Sequence, residues 1–377
     1  MIPMRKTVIY ILSFVMCAWA ITANASVTIA VITPKAGVHA RQGEEIFTGV
    51  QHAVDGINAA GGLLKQKVKI LPIDDQCSNN IAVSTAQMLT LSKQQNPVLV
   101  IGPYCQNAFA DVTDTYSRAG MLQIIPTAIS VALKNVKHKG LIKMLGYSSQ
   151  QAKDFFAYYN KHLAGEKVAL IHNPDDKESL AIAEAIRDEF QTHGKSILLQ
   201  NYTYYDEGND GEIKYDILAA KIVAQGNKIA FVTGTEKNIR KMARYLKSER
   251  ASFMIFTDRY TASEKYFDYL GDDADGTYFM SLNGQINEPD LAEEMVQLRL
   301  SGFEPEGLAL YGYSAVKIWE QLVKKAGSFD YAKVSKKINN NKIKTTLGNY
   351  YFSGGEPKQS EKYIVQRYHN GTLEKID

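Results

Sequence analysis

Apolar runs of strand length alternate with segments whose apolar residues recur at helical spacing along most of this chain. Val27–Ile32 is the first such run and predicts a buried strand. Gln42–Ala60 then places Ile46, Val50, Ala53, Val54 and Ile57 on one helical face and stops at Gly61-Gly62. Strand Val68–Ile73, helix Ile81–Gln95, strand Pro97–Gly102, helix Asn107–Arg118 and strand Met121–Ile125 follow. The alternation restarts after Lys143–Gly146 with helix Gln150–Ala164, strand Lys167–His172, helix Glu178–His193 and strand Ser196–Tyr202. It continues through helix Ile213–Gln225, strand Lys228–Val232, helix Lys237–Lys247 and strand Phe253–Phe256. Strand Gly276–Ser281, helices Pro289–Leu300 and Leu308–Ala326, and strand Lys362–His369 running into the turn Asn370-Gly371 complete the pattern. Strand–helix–strand repetition of this kind predicts an α/β protein with parallel sheets covered by helices on both faces.

The chain has 377 residues, which at ~150 residues per domain suits two lobes better than one very large sheet. No proline-rich or low-complexity segment separates the halves, so the expected connection is by direct crossover strands. The N-terminus stands apart from this pattern. Arg5 and Lys6 precede an apolar run from Thr7 to Ala20, and Ala23-Asn24-Ala25 then offers the small residues that a signal peptidase reads. Residues 1–25 therefore read as a cleaved secretory leader. The run is shorter than the ~20 residues a membrane span needs, and the bulky Met16 before Cys17 argues against lipidation.

Composition narrows the function classes. Apolar residues make up 45% and charged residues 22%, which describes a folded chain and excludes a disordered or collagen-like one. Lys plus Arg is 43 and Asp plus Glu is 40, so no charge excess calls for nucleic acid or an acidic membrane as partner. Without the leader, Cys77 and Cys105 remain, and an exported pair reads first as a disulfide. A metal site would need more ligands, and no histidine is near either cysteine in sequence.

In open parallel sheets ligands bind beyond the carboxyl ends of the strands, against helix N-termini. Here those loops are Thr33–Gln42, Asp74–Asn79, Pro103–Asn107, Pro126–Ser130, Asn173–Lys177, Gly234–Glu236 and Thr257–Thr261. None carries a nucleophile elbow, a phosphate-cradling glycine loop or a zinc-protease motif. The acidic clusters Asp206–Glu212 and Asp272–Asp275 lack EF-hand spacing and read as solvated turns. Asp175-Asp176, near His172, reads as a charged interlobe loop. Enzyme, cofactor and metal are not expected.

A set of short matches carries more. Gly37-Val38, Gln42-Gly43, Thr48-Gly49, Ala53 and Ile57-Asn58-Ala59-Ala60-Gly61-Gly62 come first. Lys69-Ile70, Asp74-Asp75-Gln76-Cys77, Gly102-Pro103-Tyr104-Cys105 and Pro126-Thr127-Ala128 follow in order. This set resembles the leucine/isoleucine/valine-binding proteins, the type I periplasmic binding proteins that feed ABC importers. The resemblance covers nearly the whole chain past the leader and is strongest from Val27 to Ala128. It implies two Rossmann-like lobes with parallel sheets and three interlobe crossovers, for which Lys143–Gly146, Gly276–Ser281 and Tyr350–Ser353 are the candidates. The expected N-terminal lobe is 26–144 plus 280–352, and the expected C-terminal lobe is 145–279 plus 353–377. In that family the two cysteines form a disulfide.

The resemblance also implies a binding site, from which this sequence departs. Amino-acid binders of the family hold the ligand carboxylate with a serine after the second cysteine, where this chain has Gln106. They place a threonine three residues after the proline of the next loop, where Ile129 stands, with Thr127 and Ser130 nearby. An acidic residue that pairs with the ligand ammonium is matched by Asp258. An aromatic near the position of Gln42 is missing, and Arg41 offers a guanidinium beside it. The expected ligand-binding set is Arg41, Gln42, Tyr104, Gln106, Asn107, Thr127, Ala128, Ile129, Lys177, Thr235, Asp258 and Tyr311. Gln106, Thr127 and Asp258 come foremost. Ordinary roles compete: Asn107 as a helix cap, Gln106 as a solvated side chain, Asp258 paired with Arg259, and Tyr311 in the core.

The expected function is the periplasmic substrate-binding component of a branched-chain-amino-acid-type ABC importer. It would act as a monomer, taking an amino acid or related amide by interlobe closure and delivering it to a membrane permease. A periplasmic sensor subunit using the same clamp is the alternative, and an exported enzyme is disfavoured.

Overall fold

The computed structural model describes residues 26–37, 39–91, 96–105, 109–127, 138–145, 148–205, 214–258, 271–282, 289–339, 341–357 and 363–376. The expected leader lies outside these residues. The first sheet runs β2-β1-β3-β4-β5 and is parallel throughout. Its strands are β1 (Ser26–Ile32), β2 (Lys67–Ile73), β3 (Leu99–Ile101), β4 (Leu122–Ile125) and β5 (Leu141–Lys143). Helices α1 (Ala40–Ala59), α2 (Asn79–Leu91) and α3 (Phe109–Arg118) connect them. In β1, Val27, Ile29 and Val31 pack into one apolar cluster and Ala30 and Ile32 into another, as a strand covered on both faces requires.

The chain then builds the second sheet. It contains β6 (Val168–His172), β7 (Leu199–Thr203), β8 (Ile229–Val232), β9 (Met254–Thr257) and β10 (Thr277–Leu282), with α4 (Ser148–His162), α5 (Lys177–Thr192), α6 (Tyr215–Ala224) and α7 (Glu236–Glu249). The parallel part runs β7-β6-β8-β9-β10, which repeats the strand order of the first sheet. After β10 come α8 (Pro289–Leu300), α9 (Gly307–Ala326) and α10 (Tyr331–Ser335). A small antiparallel sheet of β11 (Lys342–Thr345), β12 (Gly348–Ser353) and β13 (Glu356–Pro357) follows. β14 (Tyr363–His369) and β15 (Thr372–Lys375) return to the second sheet and pair antiparallel at its edge.

The chain therefore passes between the lobes three times. Residues 280–282 complete β10 inside the second sheet, and residues 353–357 belong to the small sheet. Hydrophobic runs mark strands without saying which sheet receives them. The small sheet adjoins the first lobe, with the Lys143 amide donating to the Gly355 carbonyl at 2.8 Å. The almost fully buried Lys143 ammonium donates to Glu356 Oε1 at 2.8 Å, tying the first passage to the approach to the third.

α9 returns to pack along α1, and two glycines make that possible. A Cβ on Gly49 would meet the Ala309 carbonyl, and one on Gly312 would meet the Ile46 carbonyl. The sequence reading missed β11, β13, β15 and α10. They are short, and β15 is largely exposed, so it carries no apolar run.

Candidate functional site

Strand order fixes where the candidates fall. Both sheets reverse their winding beside the first strand of each lobe, between β1 and β3 and between β6 and β8. Crevices form at such reversals, beyond the carboxyl ends of the strands. Arg41 and Gln42 stand in the first turn of α1, just after β1, and Glu236 opens α7, just after β8. Gln42 Nε2 donates to Glu236 Oε1 at 3.0 Å, and Arg41 pairs with both Glu236 and Glu45. Residues nearly two hundred positions apart thus join the carboxyl edge of one sheet to that of the other.

At the second edge Asp258 follows β9 and is buried. The Thr233 hydroxyl donates to its Oδ2 at 2.8 Å and the Thr257 hydroxyl to its Oδ1 at 3.2 Å. Gln151, in the first turn of α4, donates to the Asp258 backbone carbonyl at 3.1 Å. Thr233 also organises its neighbours, because its carbonyl accepts from Tyr204 Oη at 2.8 Å and from Ser179 Oγ at 3.0 Å. Burial, reinforced by the nearby Tyr215, Asp176 and Asp258, pushes the Tyr204 phenol well above its ordinary range, so it stays a neutral donor.

Other candidates take mixed positions. Thr127, just past β4, is buried at the first edge. Tyr104 is buried too, its ring 5.6 Å from that of His39. Cys77 and Cys105 are disulfide-bonded, with Cα atoms 5.2 Å apart, and link the loops after β2 and β3. Thr235 is the N-cap of α7, its hydroxyl accepting from the Asn238 amide at 3.4 Å. Lys177 begins α5 with an exposed side chain, and Tyr311 is buried in the core beneath α9. Gln106, Asn107, Ala128 and Ile129 lie outside the described residues.

Two polar features turn out to be structural. Asp176 caps α5 by accepting from the Glu178 and Ser179 amides, while Asp273 of the second acidic cluster pairs with Arg240 and Arg244. Burial, helped by Arg187, lowers the His172 pKa, so that ring is neutral at the end of β6. Glu236 is the site residue that sequence reasoning missed. A glutamate after a threonine cap is common in the first turn of any helix, so its residue type gives no signal. Beside α1 a cavity of about 400 Å³ is lined by Thr33, Pro34, Lys35, Ala40, Arg41, Gly43, Glu44 and Phe47.

Comparison with known proteins gives a consistent picture. The family model described as periplasmic binding protein matches residues 26–372. An amino acid binding protein of Pseudomonas aeruginosa is 26% identical over 353 residues, covering 92% of this chain and 91% of its own. A Leu/Ile/Val-binding protein homolog of Brucella melitensis is 24% identical over 358 residues, covering 94% and 95%. Among solved structures, the branched-chain amino acid transporter substrate binding protein LivJ of Streptococcus pneumoniae, in complex with isoleucine, superposes with a TM-score of 0.78. It shares 19% identity and covers 93% of this chain and 98% of its own.

Proposed function

We propose, from the premise that this chain belongs to the periplasmic binding protein family, that it is the solute-capturing component of an ABC importer. It takes an amino acid of the branched-chain class, or a close relative, between its two lobes and presents the closed form to a membrane permease. It is exported by a cleaved leader and works as a monomer in the periplasm. The lobes divide after 144, after β10 and after β13.

The observation that carries this reading is the Gln42–Glu236 contact at 3.0 Å, which sets the ligand edge of one sheet against the ligand edge of the other. A solute held there meets groups from both lobes, so it binds the closed arrangement better than the open one and shifts that equilibrium. Asp258 is the group for the ligand ammonium, preorganised by the Thr233 and Thr257 hydroxyls. The Thr127 turn is the place for the ligand carboxylate. Two relatives, an amino acid binding protein and a substrate binding protein in complex with isoleucine, support an amino acid as the solute.

The test is to unfold and refold the protein to strip bound solute, then to measure thermal shifts with each of the common L-amino acids. At least one, leucine, isoleucine and valine first among them, is expected to raise the unfolding midpoint at millimolar concentration. D258N is expected to weaken that binding at least about tenfold, as loss of a buried charged partner does. A midpoint that no amino acid moves would sink the reading.

A further inference from the structure

We infer that Glu236, Arg41 and Gln42 form an interlobe clasp that sets how far the unliganded protein is shut, with Glu236 as its positioning residue. The inference rests on the clamp reading above. Glu236 belongs to α7 of the second lobe, while Arg41 and Gln42 belong to α1 of the first. The Arg41 guanidinium lies between Glu45, on its own helix, and Glu236, on the opposite lobe. One carboxylate oxygen, Glu236 Oε1, accepts from both Arg41 and Gln42. The Glu236 side chain is 11% exposed and that of Arg41 30%, so the pair is screened by salt only in part.

Opening the lobes would break the two bonds to Glu236 and leave the Arg41–Glu45 pair intact, since that pair sits within one helix. The clasp is therefore specific to the shut arrangement. A second observation sets its limit. Gln42 is buried, and with its amide nitrogen committed to Glu236 its Oε1 has no hydrogen-bond partner among the described residues. Opening returns that oxygen to water. The same residue thus favours closure through its nitrogen and opposes it through its oxygen, which suits a clasp that holds without locking.

Glu236 would act on ligand capture without touching the ligand, and the experiment reads the lobes themselves. Spin labels are attached, in the protein lacking the leader and its Cys17, through M88C on α2 and I217C on α6, both positions being exposed, while Cys77 and Cys105 are already paired. Interlobe distance distributions are then recorded without ligand for the parent protein, E236Q, R41M and the double variant. E236Q is expected to lower the closed-to-open ratio about tenfold, R41M to act in the same direction, and the double variant to go no further than the larger single change. About 0.5 M sodium chloride should move the parent toward open and leave E236Q unmoved.

R41M alters the opposite lobe, so the clasp stays testable even if E236Q folds poorly. Distributions unchanged by either variant, while a mixture of the common L-amino acids still shifts both, would overturn the clasp and leave the clamp standing. A single distance under every condition, with and without amino acids, would overturn both.

Discussion

At the carboxyl edge of the second sheet, the Thr233 carbonyl accepts from Tyr204 and Ser179, the Thr233 hydroxyl reaches Asp258, and the Asn173 amide donates to Ser179 Oγ at 3.0 Å. Asp176 and Thr235 cap the adjoining helices. The matching edge of the first sheet is held differently. There a disulfide joins two loops, and backbone approaches at Gly43, Gly49 and Gly312 bring α1 against the loop after β1 and against α9. The polar side chains in its first helical turn, Arg41 and Gln42, reach across to Glu236. One edge is organised within its own lobe whether or not the lobes meet. The other is braced by covalent and backbone contacts and gains polar partners from across the gap.

The contrast predicts unequal responses to substitution. The largest belongs to the α1–α9 seam, where neither helix can move aside because the obstructing atoms are backbone. G49V is expected to cost at least about 3 kcal/mol, in the range of severe overpacking, and G312A is expected to destabilise by the same mechanism. Urea unfolding of each variant measures this, and a loss below about 1 kcal/mol for G49V would show that the seam yields. Next comes the disulfide. With a sequence separation of 28, replacing both cysteines by serine should remove about 3–4 kcal/mol in the chain-entropy account. That loss should vanish when parent and variant are compared under reducing conditions.

The second edge should answer more mildly. Y204F removes one of the two hydroxyls that serve the Thr233 carbonyl, and Ser179 remains. A cost of about 1 kcal/mol is expected, read as a shift in denaturant midpoint at constant slope. A cost as large as that of losing the disulfide would erase the distinction between a covalently braced edge and a distributed one.

What the sequence revealed follows the same division. Period and run length gave β1, α1, β6, α5 and α9 because their apolar residues face a core on a regular spacing. The antiparallel edge β14–β15 and the small sheet were harder, since strand partners come from tertiary packing that alternation does not encode. Among the candidates, Asp258 stood out as the match to the acidic residue that the family resemblance implies, and Gln42 as a position near which the family's aromatic is missing. Glu236 did not, because its role comes from a contact with the opposite lobe and not from its local pattern. Thr235 shows the reverse case, a hydroxyl at a strand end that the structure uses as a helix cap.

The smallest expected effect also bears on the first edge, through the carboxyl of Asp75 beside the disulfide. Burial, reinforced by the neighbouring Asp74 charge, holds that carboxyl above the ordinary carboxylate range, against the pull of the hydrogen bond from the Cys77 amide. Burial, helped by the Asp75 charge, pushes the Tyr116 phenol upward, and its hydroxyl has no hydrogen-bond partner among the described residues. A folded-state pKa above the unfolded value means that the folded chain holds the proton more tightly. The resulting stabilisation is complete below the unfolded value near 3.8 and is lost as pH rises through the folded one. Above that folded value the native chain carries a buried ionised carboxylate. D75N removes that charge and keeps an acceptor for the Cys77 amide, so it should raise the unfolding midpoint at neutral pH. The gain should shrink as pH falls and disappear near about pH 3, where the native carboxyl is protonated as well. Thermal unfolding of both proteins across that range checks it. A D75N chain less stable at neutral pH, with a deficit that does not change on acidification, would mean that the ionised carboxylate supports the disulfide loop, and that the first edge depends on a side-chain network as the second does.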